Sequence, residues 1–562
     1  MTFSVFLKAP RNHAWLDQVT RHPPLDRYFF RGAILIVLTL GAAWGAMLLA
    51  KIAAAGSLTA AGLQEVNAHG HAQIFGWLGL FVMGCCYSVL PRLLGTHLTH
   101  PRWALASFWL MIVGVVVHSM FRAAAARWAW LGMIAVAGSS AEIAAIGILV
   151  AVVFSLVRNH PVTRGAFVGY LTAALVWFFL QAIYETVYFV ATLLASNHDS
   201  LLNLVATWQG PLREIQIYGF AMLAIYGISQ RLLPEFYELP EPGPRKSRAI
   251  LAVLNVAVVG IAAGLILMRS AGHAWAALWY FSVLALVGAS AVLVGGWGLY
   301  GPVNRADHSL KFIRAAYAWL FGSLGMLALL PAYQFAVLPR LAPGSRAVAI
   351  GFSHAYYGAI RHAITVGFIS LAILGIAARV VPQIRSLRTQ RLNSLWAPFL
   401  LVNAGCAIRV AGQVLTDITP SAYSVTGVSG FLEWTGLAIW GVHLWGLMAV
   451  RDPQALREPM ELSTEPEPRS ARPEENCMNQ PISANDVVAD IIDRHPGLLP
   501  SFLDAGFTPL KNPVIRNRVA RLVTLRQACE KMGVDLASFL DTLNRQCRDL
   551  PRDSGLHSSR FA

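Results

Sequence analysis

Two stretches far apart in the chain carry the residues best suited to hold a metal. Residues 67–77 read NAHGHAQIFGW and residues 353–367 read SHAYYGAIRHAITVG. In each, a histidine stands where a polar loop gives way to a long apolar run. The run after His71 extends to Leu90, and the run after His362 extends to Val381, broken only by Arg379. About 20 helical residues cover about 30 Å, the thickness of a bilayer core. His71 and His362 are therefore expected at nearly the same depth, at the outer edge of that core. Two imidazoles at one depth on two packed helices can clamp a haem iron from both faces.

The neighbouring residues add to this site. His69 lies two positions before His71, so on a regular helix the two rings face nearly opposite ways. His354 lies two turns ahead of His362. His69 and His354 are candidates for a second metal on the outer side, and copper is an ion that imidazole suits; interfacial residues that bind nothing are the plainer reading. Arg361 is a suitable partner for a haem propionate, because guanidinium binds carboxylates in bidentate fashion, or for a lipid headgroup. Arg213 and Glu214 pose the same question and read equally as a simple ion pair. Among the other histidines, His97, His100, His160, His308 and His495 read as solvated residues, His118, His198 and His273 as residues near outer span ends, and His443 as a helix-packing residue inside a span.

These residues must be positioned by membrane helices. Of 562 residues, 56% are hydrophobic and 13% charged, about half the charge of a soluble domain. Twelve apolar runs long enough to span are expected near 30–53, 72–91, 103–121, 129–157, 166–194, 214–233, 249–268, 275–299, 315–338, 362–381, 395–415 and 430–450. Lys and Arg concentrate before the first run and in alternate loops, which places both termini in the cytoplasm. On that ground the net charge of +15 is no nucleic-acid footprint. No cleaved signal peptide is evident, no internal repeat is evident, and the six cysteines show no metal-finger or disulfide spacing. The expected fold is all-α, a polytopic bundle with a small helical domain after it. Its parts are a cytoplasmic segment 1–29, a membrane domain 30–450, a disordered linker 451–476 rich in Pro, Glu and Arg, a small cytoplasmic helical domain 477–547, and a disordered tail 548–562.

The stretches NAHGHAQIFGWLGLFVMGCCYSVLPRLLG and RHAITVGFISLAILGIAARVV resemble the NnrS family of twelve-span membrane proteins. The resemblance covers most of residues 20–450 and rests on Gly70, His71, Gly76, Arg361, His362, Thr365 and Gly367. It implies haem of b type, with copper as a further metal, and service in bacteria under nitric oxide stress. It also implies haem ligation at His71 and His362, with His69 and His354 as further metal candidates. DVVADIIDRHPGLLPSFLDAGFTPLKNP in the tail is similar to a small domain found beside hybrid-cluster proteins; some members carry cysteines after the Gly-Phe, where this chain has Thr508 and Pro509.

The first stretch is also similar to subunit I of haem–copper oxidases. Those enzymes hold a second metal on histidines of spans 6 and 7, and residues 214–268 here contain none. A terminal oxidase is thereby disfavoured. The readings left open are a haem-binding sensor, scavenger or electron carrier in the bacterial inner membrane, a quinol- or cytochrome-linked oxidoreductase, and a twelve-span transporter. Nitric oxide and the lipid bilayer are the expected partners, with an unknown cytoplasmic partner for the small domain and no nucleic acid.

Overall fold

The computed structural model describes residues 25–159, 165–303, 307–384, 394–449, 482–511 and 523–549. The basic residues Lys8, Arg11 and Arg21, His160, Arg385, Arg388, Arg391, the linker 451–476 and residues 550–562 lie outside them. The chain divides into two compact units, Met1–Arg457 and Glu458–Ala562. Among the described residues both are helical, and one isolated bridge joins Val487 to Thr524.

The first unit is built from long helical runs: α1 Leu25–Ala55, α2 63–88, α3 Pro101–Ala125, α4 Leu131–Asn159, α5 Ala166–Leu193, α6 198–237, α7 Pro244–Ser270, α8 His273–Gly295, α9 310–341, α10 His354–Ile384, α11 Trp396–Leu415 and α12 Ala422–Ala449. Eight of them are long and apolar enough to cross a membrane, and α9, bent by 51°, makes nine. The expected count of twelve does not follow from length and apolarity alone. Spans 2, 6 and 12 fall on α2, α6 and α12, which carry polar residues such as Gln64, Glu65, Arg213, Gln216, Ser429 and Glu433. α10 lies deepest, with 83% of its apolar window buried against at most 50% in the other candidates.

The structure corrects one expectation: the chain does contain an internal repeat. α2, α6 and α10 match residue for residue. Each turns π-helical for eight residues, over Ala72–Gly79, Ile215–Met222 and Ala363–Ser370. The residue just before the π turn is His71, Glu214 and His362 in turn. Gly76, Gly219 and Gly367 then align, as do Leu80, Leu223 and Leu371, Gly84, Gly227 and Gly375, and Pro91, Pro234 and Pro382. Space explains the first glycine of the pattern. A Cβ there would meet Ile36 of α1 at 2.3 Å, Trp177 of α5 at 3.0 Å and Trp319 of α9 at 2.5 Å. Each glycine thus receives a side chain from the first helix of its own four-helix repeat unit, the three repeat units being α1–α4, α5–α8 and α9–α12. The repeat hides in the sequence because the positions between these anchors vary freely among apolar residues.

The three units close on one another. α4 of the first unit packs on α5 of the second. α12 of the third packs on α1 of the first, so tightly that a Cβ on Gly430 would meet Ala46 at 2.8 Å and one on Gly427 would meet Ala53 at 2.6 Å. The central helices meet as well: Trp77 Nε1 donates to Ser370 Oγ at 3.2 Å.

The C-terminal compact unit, Glu458–Ala562, gathers short helices, Val488–Arg494, Leu499–Asp504, Leu525–Met532 and Leu536–Asp549. Ile491, Phe502, Phe507, Cys529, Phe539 and Leu543 form its core. Thr524 and Gln527 form a capping box that starts the third helix.

Candidate functional site

His71 sits at the end of the regular turn that precedes the π segment of α2, and only 1% of it is exposed. Its Nε2 lies 2.9 Å from Glu142 Oε1 of α4, and its Nδ1 lies 3.3 Å from Glu185 Oε1 of α5. Phe75 stacks on the ring at 4.2 Å, and His118 of α3 lies against it at 4.0 Å. Arg122, one turn beyond His118, donates to Glu185 at 2.8 Å and lies 3.2 Å from His118 Nε2. His118 Nδ1 faces the Ala135 carbonyl at 3.0 Å and Ser139 Oγ at 2.5 Å. The network runs on into α6. Gln216 donates to Glu185 and Gln181 at 2.7 and 2.8 Å and accepts from Arg213, which also donates to Asn67 at 2.9 Å. This cluster is buried, charged and densely hydrogen-bonded, as buried charge must be to be tolerated.

His71, His118 and Glu185 offer ligand atoms within 4.8 Å of one another. The guanidinium of Arg122 already bonds two of the three, so a cation seated there must displace it.

His362 repeats the first part of this arrangement. Its Nε2 lies 2.9 Å from Glu433 Oε1 of α12, and 71 residues separate the partners, as they do His71 and Glu142. Gly114 of α3 and Gly405 of α11 let each glutamate-bearing helix approach: a Cβ would meet Glu142 Cγ at 2.7 Å in one and Glu433 Cγ at 2.6 Å in the other.

His69 faces elsewhere. Its Nδ1 lies 3.1 Å from the Gly41 carbonyl of α1. Gly41 takes ψ −110° where the π turn Val37–Gly41 ends, and this swings the carbonyl out of the helical ladder. A Cβ on Gly45 would meet His69 Cε1 at 2.6 Å. His69 thus packs against α1, whereas His71 faces Glu142 of α4 and Glu185 of α5.

The remaining sequence candidates are placed as follows. Arg361 lies 3.8 Å from Glu214 and over the Tyr357 ring at 4.5 Å, and Tyr357 also donates to Glu214. Arg213 and Glu214 turn to different partners, not to each other. His354 is exposed and packs edge-on against Phe352 at 4.9 Å. Glu142, Glu185, Glu433, Arg122 and Arg409 carry much of the site, and sequence reasoning passed over them. The signal was present: an ionisable residue inside an apolar run is a functional candidate by default, and Glu142, Glu185, Arg409 and Glu433 each interrupt one.

A family model described as NnrS protein matches residues 27–455, and one described as a domain of unknown function (DUF1858) matches residues 482–540. No curated protein matches the chain.

Proposed function

The chain belongs to the NnrS family, and from that premise we propose that it is a haem protein of the bacterial inner membrane that serves under nitric oxide stress. In this reading the haem lies between α2 and α10. His362 and an imidazole of the NAHGHAQ stretch would hold its iron, with His71 as the sequence-based choice for the second. The positive loops put both termini in the cytoplasm and the site on the outer side, with α2, α6 and α12 completing twelve spans.

One observation carries the reading: α2 and α10 each place a histidine immediately before an eight-residue π turn inside the helix bundle, and α1 leaves room for the neighbouring His69 ring at Gly45. Three features suit a haem. Gly45 leaves room for the His69 ring, which a Cβ there would meet at 2.6 Å. Arg361 Nε and Arg409 Nε are buried without hydrogen-bond partners among the described residues, and guanidinium groups suit propionates. Ligation through His362 Nε2 exchanges its contact with Glu433. A bound haem supplies a one-electron centre whose potential its ligands and surroundings set. Two histidine ligands would suit electron transfer, and gas binding would need one of the two imidazoles to be free. A copper ion on His71, His118 and Glu185 would be a second metal only where His71 is not the haem ligand, and at the cost of the Arg122 contacts.

Internal repeats are common in transporters, so the repeat is compatible with that alternative. The imidazole pair still favours a redox or gas-binding role over transport, and residues 214–268 supply no histidine for an oxidase centre. The test is a reduced-minus-oxidised optical spectrum of the purified protein with metal analysis. A stoichiometric haem signal is expected, and its absence sinks the reading. Nitric oxide added to the reduced protein separates the roles: an altered spectrum supports gas binding, and an unaltered one supports electron transfer alone.

A further inference from the structure

The repeat bears on which imidazole of α2 holds the iron. His71 and His362 occupy one and the same position in two units, immediately before the π turn. Each sends Nε2 to the glutamate of its own unit's fourth helix. Residues related in this way face successive compartments between units and do not face each other across one compartment. His71 looks into the compartment between the first and second units, where Glu185 of α5 and Gln216 and Arg213 of α6 close around it. His362 looks into the matching compartment between the third unit and the first. Its walls are α12, α1 and α2.

The residue of α2 that enters that second compartment is His69. The corresponding positions on α6 and α10 are Leu212 and Ile360, both buried hydrocarbon. An imidazole therefore stands at this place in the first unit alone.

The two compartments also differ in what fills them. Between the first and second units, α5 contributes Tyr184, Glu185 and Tyr188, and Arg122 completes the charge network. Between the third and first units, the matching stretch of α1 reads Gly41, Ala42, Ala43, Trp44 and Gly45. One compartment is closed by a charge network, and α1 brings no charged side chain to the other from this stretch.

The ring chemistry points the same way. An imidazole that ligates a metal characteristically donates its other N–H to a carbonyl or carboxylate, which fixes the tautomer and aims the lone pair. His69 Nδ1 has such a partner in the Gly41 carbonyl at 3.1 Å, and Nε2 is left for a metal. His71 Nε2 is hydrogen-bonded to Glu142 at 2.9 Å, and Nδ1 lies 3.3 Å from Glu185 without a hydrogen bond among the described residues.

We propose that the α2 ligand of the haem is His69, opposite His362, and that His71 belongs to a separate carboxylate–guanidinium compartment that does not hold the iron. This rests on the haem reading above and is tested apart from it. The full-length protein is purified as wild type and as His69→Ala, His71→Ala, His69→Met and His71→Met. Haem content, optical spectrum and midpoint potential are then measured. His69→Ala is expected to lose the low-spin spectrum and to regain it with added imidazole, while His71→Ala keeps it. Because methionine opposite histidine raises a haem potential, His69→Met is expected to raise the midpoint and His71→Met to leave it in place. The methionine pair decides the matter where an alanine variant fails to fold. Loss of the spectrum in His71→Ala with retention in His69→Ala, or a raised potential in His71→Met alone, overturns the assignment and leaves the haem reading standing. A wild-type protein without haem overturns both.

Discussion

His71 and His362 are counterparts: each holds Nε2 2.9 Å from a glutamate that follows it by 71 residues. The two pairs differ in depth. The His71 and Glu142 side chains are each 1% exposed, whereas His362 is 21% exposed. Removing one partner of a buried pair leaves an uncompensated group and costs about 3–5 kcal/mol. Glu142→Ala is therefore expected to destabilise the protein by about that amount, and Glu433→Ala by clearly less. Thermal melts of both variants in the same detergent check the order; a larger loss in Glu433→Ala contradicts it.

The glycines of the repeat make a second prediction. A side chain at Gly76 meets Ile36 at 2.3 Å and one at Gly367 meets Trp319 at 2.5 Å. Overpacking of this kind costs about 1–3 kcal/mol. Gly76→Val and Gly367→Val are expected to lower the melting temperature. Gly288→Ala, where a Cβ meets nothing within 4 Å, is expected to leave it unchanged. Equal behaviour of the three variants refutes the packing account.

Gly45 links the bundle to the cofactor. A Cβ there meets the His69 ring at 2.6 Å, so Gly45→Val displaces the ring and with it the proposed ligand. Loss of the low-spin haem spectrum is expected, with the helical circular dichroism retained. A normal spectrum in this variant speaks against a haem in the compartment between α12 and α1.

The small C-terminal unit predicts independently of the haem. Thr524 and Gln527 cap the helix Leu525–Met532 reciprocally, and loss of such a cap costs about 1 kcal/mol. Thr524→Ala is expected to speed amide exchange in that helix, read by mass spectrometry on the full chain. Asp535 accepts from the Ser538 backbone at 2.9 Å. The Ser538 side chain and backbone hold its carboxyl below the usual range. The depressed value means that this support is present above the ordinary Asp pKa and fades as pH falls through the folded one. The helix Leu536–Asp549 should therefore fray at acid pH, and Asp535→Asn should blunt that pH dependence; an identical profile in the variant contradicts it.

Much of this was legible in the chain. Apolar run length gave the helices, because a span must be about 20 residues long whatever it packs against. The histidines at the starts of α2 and α10 were legible as a pair for the same reason. Which helices His69 and His71 pack against was not, since that depends on the rotation of α2 about its axis and on the helix that fills each side. The repeat was equally hidden. It survives in glycines and prolines, where backbone contact leaves no choice, and has faded wherever any apolar side chain serves.

His362 is common to every version of the haem clamp, so it tests the central claim most directly. The measurement is the optical spectrum and haem content of His362→Ala beside wild type and a His97→Ala control. The account predicts a stoichiometric low-spin haem in wild type and control, and its loss in His362→Ala. A full, unaltered haem spectrum in His362→Ala contradicts it.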